Sequence, residues 1–482
     1  MSGSHITKIG RKQALLLPDM IENYIDEDNP TRLFDSFVDS LDLKEMGFRY
    51  AVLKEGPGAP SYDPSDLLKL YLWGYYNGIR SSRKLENECY RNLEVMWLIR
   101  KLKPDFKTIS DFRKDSADIV KGLFRRFNLF LKEHDLFKSH DIAIDGTKMK
   151  AVNAKERSFT KEQLEKQQDN VDEKIEKFLK EMDENDAIER DIDRSKIREA
   201  IEKMNERKKK LDGIGREMAE LGVNELSLTD PEARQMKTRH GVDVCYNAHI
   251  AVESEHHLIS DYTVDNDTND YASLLPLAKS SKELMGRLDV SADRGHFSLT
   301  NVLNLHREGM DAYIPSPKRG SPHRKKKGVP TEEYESSKFI YDQQRDLYLC
   351  PQGNEMHYRF NVPNGLKNKV WYRVYSTDAC KSCPVVKKCT TSKRGRWMQR
   401  WEYADIEDEH WRRMKSRGRD KMKLRKRTVE HPFGTIKRAM NQGYLLLKGL
   451  RKVRGEFGFS AIAYNMKRAI SIKGVRALIH AV

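Results

Sequence analysis

Apolar residues recur at helical spacing from residue 13 to about residue 136 and then switch to strict alternation. LFDSFVDSLDL repeats Leu and Phe every three or four positions. Asp63-Pro64 reads as a cap followed by proline at the first helical position, opening SDLLKLYLWGYYNG. Ser81-Ser82 stands before RKLENECYRNLEVMWLIRKL, and Thr108 with Asp111 before the helical run that ends in FLKEHD. After that, HDIAIDGTKMKAV places Ile142 and Ile144 on one face of a strand that ends at an acid. CYNAHIAVES and HHLISDYTV predict two more strands, GRLDVSADRGH a fourth, SLTNVLNLHREG a helix and MDAYIPSP a fifth strand. Three successive strands followed by strand, helix and strand predict a mixed α/β sheet.

Two insertions interrupt this pattern. Leu164, Val171, Ile175, Phe178 and Met182, then Ile197, Ile201, Met204, Leu211, Ile214, Met218 and Leu221, form heptad seams in a Lys/Glu-rich background. They predict either a helical hairpin or a coiled-coil arm paired with another subunit. Residues 318–404 open with the basic stretch KRGSPHRKKKG and continue with short β-like runs, SKFIYD, LYLC and KVWYRVY. Four domains follow: 1–136 helical, 137–317 the first part of the sheet with its 157–222 hairpin, 318–404 the cysteine-rich insertion, and 405–482 helical.

Charge sharpens the picture. The chain has 89 Lys and Arg against 73 Asp and Glu, a net +16 over 482 residues. Residues 411–454 alone hold 16 Lys or Arg against only Asp420 and Glu430. The excess favours a polyanionic partner, nucleic acid above all, although ribosome-associated and merely supercharged proteins share that arithmetic; its concentration in one block is harder to explain as a solubility device. In the helical part, Arg83, Lys84, Arg91, Arg113, Lys114, Arg125 and Arg126 suit a phosphate backbone and a solvated face equally well. No apolar run approaches the ~20 residues of a membrane span. The start lacks an apolar signal region, so a soluble, cytoplasmic, nucleoid-associated protein without a membrane partner is expected.

The cysteines carry a second signal. Cys350, Cys380, Cys383 and Cys389 are separated by 29, two and five residues and can supply four thiolates to a structural Zn²⁺; reduced structural thiols are the alternative. Cys89 and Cys245 read as packed thiols. Trp371, Trp397 and Trp401 read as the insertion's small core rather than as a base-stacking wedge.

Three acids stand at chemically useful places: Asp145 at the end of the first strand, Asp293 after the fourth, and Glu430 in the helical block KRTVEHPFGTIKRAM. Singly, each is as well explained by a turn or a surface ion pair. Together they suit two divalent ions about 3.5–4 Å apart that serve the attacking and leaving oxygens of one phosphate. The chain resembles a DDE-type transposase of a bacterial insertion sequence. The match is carried by YDPSDLLKLYLWGYYNGIRSSRKLENE, KTISDFRKD, IDGTKMKAVNAK, TDPEARQM with CYNAHIAV, SADRGHF, TVEHPFGTIKRAM and SAIAYNMKRAI, in family order.

That resemblance implies an all-helical N-terminal DNA-binding domain, a ribonuclease H-like mixed-sheet core, and the coiled-coil and four-cysteine insertions. It implies Asp145, Asp293 and Glu430 as catalytic ligands of Mg²⁺ or Mn²⁺, 148 and 137 residues apart. It implies Lys437 on the transposon end, with Arg438, Lys426, Arg427, Lys423 and Arg294 as further DNA contacts. Lys423 and Lys426 stand where the family has Tyr and Arg, with Arg427 able to replace the arginine. His296 occupies a position where the family often has an aromatic residue; a phosphate contact or an ordinary helix-start residue both suit it. The implied activity is binding of inverted-repeat ends, metal-dependent cleavage and transfer of 3′-OH ends to target DNA, by a homodimer or larger synaptic complex. A metal-dependent nuclease without strand transfer, and a catalytically dead zinc-stabilised DNA-binding protein, are the alternatives.

Overall fold

The computed structural model describes residues 20–49, 62–153, 157–186, 191–238, 241–316, 329–363 and 371–482. The basic stretch at 318–328, residues 13–19 and the side chain of Met182 lie outside them. Six helices come first: α1 (Pro30–Asp39), α2 (Pro64–Tyr76), α3 (Ser82–Arg91), α4 (Leu93–Leu98), α5 (Phe106–Asp115) and α6 (Val120–Glu133). Asp63 caps α2 as its sequence predicts, accepting from Ser65 N with Pro64 at the first position. The long run after Ser82 divides, because Asn92 takes an extended ψ and its side chain accepts from the amides of Glu94 and Val95. The last predicted helix divides too. It starts at Asp105, whose carboxylate accepts from Thr108 N, rather than at Thr108, and α5 ends five residues before α6 begins.

The chain continues through β1 (Asp141–Lys150), β2 (Ser158–Thr160), α7 (Lys161–Asp186), α8 (Asp191–Glu220), β3 (Glu225–Ser227), β4 (Arg234–Thr238), β5 (Gly241–Glu253) and β6 (Ile259–Asp265). Then come α9 (Leu274–Met285), β7 (Asp289–Ala292), α10 (Leu299–Arg307) and β8 (Asp311–Tyr313). The main sheet runs β4-β5-β1-β7-β8, with β6 also on β5. β1 pairs antiparallel with β5 and parallel with β7, and β7 parallel with β8, a mixed sheet. The heptad seams are an antiparallel pair within one chain: Leu164 and Val171 of α7 pack with Leu211 and Met218 of α8 over Phe159 and Leu226.

A five-stranded antiparallel sheet follows, β9 (Ile340–Asp342), β10 (Leu347–Leu349), β11 (Glu355–Pro363), β12 (Trp371–Ser376) and β13 (Met398–Trp401), with α11 (Val386–Cys389). Trp401 is buried in it, whereas Trp371 and Trp397 are about 40% exposed, so only one of the three tryptophans is core. Finally come α12 (Ala404–Ser416), α13 (Gly418–Gly434), a π-turn at Thr435–Ala439, α14 (Leu450–Lys473) and α15 (Val475–Ile479).

Alternation along β1 and β5 divides the core in two. Ile142, Ile144 and Ala251 face α9 and α10, packing with Leu274, Leu277 and Leu305. Ala143, Ile250 and Val252 face the opposite way, into one apolar cluster that joins α1, α2, α6 and α14. The N-terminal helices therefore share their core with the sheet, which is buried on both faces. Phe459 of α14 sits 5.4 Å from the Tyr71 ring and 5.3 Å from Tyr75, both of α2. Arg113, one of the basic residues considered for phosphate contact, is instead buried, donating to Arg80 O and Tyr75 Oη.

One packing contact has a pH consequence. His431 of α13 stacks on His257 in the turn after β5 at 5.4 Å, and its Nδ1 meets Tyr464 Oη at 2.8 Å. Burial pushes both imidazole pKa values down; Arg468 adds to this at both, and His431, Arg427 and His256 at His257. As pH falls through the ordinary histidine range the unfolded chain binds protons first, so this contribution is complete above pH ~6.5 and is lost below it. Thermal melts should show wild type losing more stability between pH 7.5 and 5.5 than His257→Gln. Parallel losses would remove the histidine pair from the account.

Candidate active site

Asp145 does not sit in an Asp-Gly turn, as its neighbour suggests. β1 runs on to Lys150, and only the parallel pairing with β7 stops at Ile144↔Ala292. Gly146 is required by close approach: a Cβ there would meet His249 Nδ1 at 2.7 Å. Asp145 and Asp293 thus follow adjacent paired positions at the carboxyl end of two parallel strands. In open α/β sheets that end is where ligands bind.

Their environments differ. Burial pushes the Asp145 carboxyl up, opposed by the Arg425 guanidinium and reinforced by the charge of Asp293. Asp293 is held below the usual carboxylate range by its hydrogen bond with His296, against the effect of burial. His296 Nδ1 lies 2.7 Å from Asp293 Oδ1, and the ring is fully buried. It therefore positions a carboxylate rather than merely opening a helix. Asp270 completes a cluster: Asp270, Asp293 and His296 offer ligand atoms all within 4.8 Å of one another, the one such group of His, Cys, Asp or Glu among the described residues.

α13 lies across β8, β7 and β1. Lys421 holds Asp141 and Asp289 (2.7 Å), and its ammonium lies 4.8 Å from the Tyr313 ring centre. One turn on, Arg425 Nη2 is 3.0 Å from Asp145 Oδ1. Glu430 comes about two and a half turns after Lys421, so it projects from the opposite side of the helix. Its carboxylate is 65% exposed, 3.8 Å from Lys426, whereas Asp145 is 25% exposed. The structure thus brings Asp145 and Asp293 together and leaves Glu430 outside the converging group.

The basic block is partly internal. Lys437 donates to Thr147 Oγ1 and Lys148 O, Arg413 pairs with Asp311 at 2.7 Å, and Arg454 donates to Val264 O. Lys423, Lys426, Arg427, Arg438 and Arg294 are exposed. Lys437 is therefore a strut between α13's exit and β1, not a free cation.

Sequence reading missed Asp270, Asn247 and His249. For Asn247 and His249 the signal was present in CYNAHIAV, where polar residues alternate inside an otherwise apolar strand. Asn247 and His249 are both fully buried, beside Ala251 on the α9 face.

The four clustered cysteines line one small cavity of about 30 Å³, with Tyr334, Phe339 and Met356 around it. Burial raises the Cys389 thiol, and the neighbouring Cys380, Cys350 and Cys383 raise it further. Four thiols are the donor set of a tetrahedral Zn²⁺ site, although no three of these sulfurs all lie within 4.8 Å of one another. Cys89 and Cys245 are buried, and burial pushes their thiols up to about 12 and about 11, so they are inert packed groups.

Comparison with known proteins gives two matches. Residues 19–115 match the model of a transposase domain (DUF772), and residues 349–470 match that of a transposase DDE domain. Together they support a DDE-type transposase of an insertion sequence. The second segment contains Glu430, Arg425 and the four clustered cysteines; Asp145 and Asp293 lie between the two segments. No curated protein matches the chain. Among the described residues no helix is long and apolar enough to cross a membrane.

Proposed function

We propose that the protein binds the inverted-repeat ends of its insertion sequence, hydrolyses phosphodiester bonds there, and joins the freed 3′-hydroxyls to target DNA. One observation carries this reading: Asp145 and Asp293 sit side by side at the carboxyl end of parallel β1 and β7. The order β6-β5-β1-β7-β8, with β5 antiparallel to β1 and β7 and β8 parallel to it, supports a ribonuclease H-like core.

The residues fit a divalent ion. The charge of Asp293 raises the proton affinity of the half-buried Asp145, and a dication between the two carboxylates would relieve it. Asp145 and Asp293 would hold Mg²⁺ or Mn²⁺, which activates the attacking oxygen and offsets charge on the phosphate. His296 fixes the Asp293 carboxylate, and the Arg425 guanidinium opposes the effect of burial on Asp145. In cleavage, water oxygen bonds to phosphorus and the P–O3′ bond breaks, with the water proton passing to solvent. In transfer, the new 3′-oxygen attacks a target phosphate and releases a target 3′-oxygen.

Glu430 joins this set as α13 rolls about its axis and carries Arg425 away. Pro432 inside the helix and the π-turn after it support such a roll, since both interrupt the regular hydrogen-bond ladder. Zn²⁺ at the four cysteines would hold the insertion's small sheet together without taking part in chemistry. Two ends must be held at once, which calls for a dimer or larger assembly.

Incubating protein, Mg²⁺, paired end fragments and a target plasmid tests the proposal. Joined products are expected; cuts without joining would leave only a nuclease. Salt provides a second check. Affinity for end DNA should fall with salt at about 0.9 logarithmic units per phosphate contact. Lys423→Gln with Lys426→Gln should reduce that slope by close to two contacts, and an unchanged slope would remove α13 from the DNA path.

A further inference from the structure

The hairpin of α7 and α8 has two sides, and they differ. Gln168 donates to Asp212 at 2.8 Å and Asp172 pairs with Lys208, which fixes the register of the two helices. Both bonds lie at one edge of the apolar seam and so mark one side of the hairpin. One heptad further from β2 and β3, the positions of Asp172 and Lys208 are taken by Leu179 and Ile201. Leu179 is 43% exposed, and Ile201 is partly exposed. An apolar pair at the edge of the seam therefore faces outward where an ion pair would have sufficed for a hairpin in water.

Charge on this side is divided between the helices. α7 presents Glu165, Asp169, Asp172 and Glu176 in steps of four, three and four, a row without a cation that runs on to Leu179. α8 presents Arg198, Ile201, Asn205 and Lys208, with Lys209 and Glu202 at the outer margin. Like charges three and four apart destabilise a helix, so the acidic row stands at a cost that a basic surface would relieve. The opposite side has no such complement: Gln163, Gln167 and Lys174 of α7 stand beside Lys203 and Arg207 of α8.

We infer that the Leu179 side of the arm pairs with the same side of a second copy, about a two-fold axis running along the arm. That axis sets α7 of each copy on α8 of the other, so an acidic row meets a basic one twice. Neighbouring helices all run antiparallel, as in a four-helix bundle, and Leu179 and Ile201 of both copies close its outer half. From Glu165 to Leu179 the contact runs ~21 Å at 1.5 Å per residue, a modest area that suits reversible pairing. The row of carboxylates disfavours DNA as the occupant. The inference rests on the proposed function only for its use, which is to bring two ends together.

Sedimentation of the full chain, without DNA or metal, tests the surface. Wild type should form a dimer that dissociates as salt is raised. Leu179→Asp removes an apolar contact twice per dimer and should weaken association about tenfold or more, with the thermal melt unchanged. Reversing the acids (Glu165→Lys, Asp169→Lys and Glu176→Lys together) should abolish self-association, as should reversing the bases (Arg198→Glu with Lys209→Glu). Asp172 and Lys208 stay in both to clasp the hairpin. Mixing the two variants should restore a dimer with one copy of each, because every charged row then meets its opposite. If either variant loses helix by circular dichroism, Leu179→Asp and Ile201→Asp decide alone. A wild type that stays monomeric, association that none of these changes weakens, or two folded variants that do not pair would overturn the inference. Base reversal that lowers affinity for end DNA and leaves self-association intact would make this side a DNA track and overturn it too. None of these outcomes touches the strand-end acids, so the cleavage and joining assay judges the proposed reaction separately.

Discussion

Asp145→Asn and Asp293→Asn should each abolish end cleavage, lowering its rate by at least about a thousandfold, while binding of end DNA in EDTA stays within a few-fold of wild type. The magnitude is that of removing one strong electrostatic contribution to a charged transition state, roughly 10²–10³ for a single donor and more for a metal ligand. Asn keeps the shape and can still meet Arg425, so the fold should survive. Because His296 grips Asp293 Oδ1, Asp293→Asn also disturbs an imidazole that is fully buried, and its melting temperature should fall further than that of Asp145→Asn. Cleavage and melting measured side by side check both statements. Retained cleavage in either variant would show that the paired strand ends are not where the reaction occurs.

Glu456→Ala should be the most destabilising single truncation, by about 3–5 kcal/mol, the usual cost of breaking a buried ion pair. Glu456 is almost fully buried; its carboxylate accepts from the amides of Leu446 and Leu447 and lies 3.2 Å from Arg80 Nη1. Arg80 in turn donates to the carbonyls of Tyr444 and Asn441, with its guanidinium 4.7 Å from the Tyr444 ring centre. Truncation leaves a buried guanidinium and two amides without their acceptor. Denaturant unfolding should show the loss, and Glu456→Gln, which keeps an acceptor oxygen, should recover part of it. A loss below about 1 kcal/mol for Glu456→Ala would mean that solvent reaches this cluster. The prediction also bears on architecture. Arg80 belongs to the N-terminal helices and Glu456 to α14, so the pair ties the two DUF772-side and DDE-side segments into one cooperative core.

The elements with strong periodicity were legible in the sequence. The heptad seams became α7 and α8, the alternating runs became β1, β5 and β6, and Asp63-Pro64 marked the start of α2. Local chemistry overrode periodicity elsewhere. Asn92 broke one apparent helix because its side chain competes for backbone amides, which a pattern of apolar positions does not register. Asp145-Gly146 looked like a turn because that dipeptide usually is one; here Gly146 is small so that His249 can approach.

The candidate site was half legible. Asp145 and Asp293 were readable as strand-end acids, and the sheet's parallel pairing brought them together. Glu430 was readable as a helical acid, but helical phase relative to the sheet is set by Lys421 and Arg425 clamping β1 and β7, which composition conceals. Asp270 lay unnoticed in DNDTND because nothing local distinguishes it; only folding sets it beside Asn247 and Asp293. Net charge does not register partners: Arg413, Lys437 and Arg454 of the 411–454 block meet an internal carboxylate or carbonyls.

Iron-directed backbone cleavage tests the central claim most directly. Fe²⁺ would occupy the proposed divalent-ion site, and ascorbate with peroxide then generates hydroxyl radicals that cut the chain next to it. Fragments should map to two places, the stretch around Asp145 and the stretch around Asp293, with excess Mg²⁺ suppressing both. Cuts confined to other regions, or cuts at these two that persist unchanged in an Asp145→Asn, Asp293→Asn double variant, would contradict a metal held between the ends of β1 and β7.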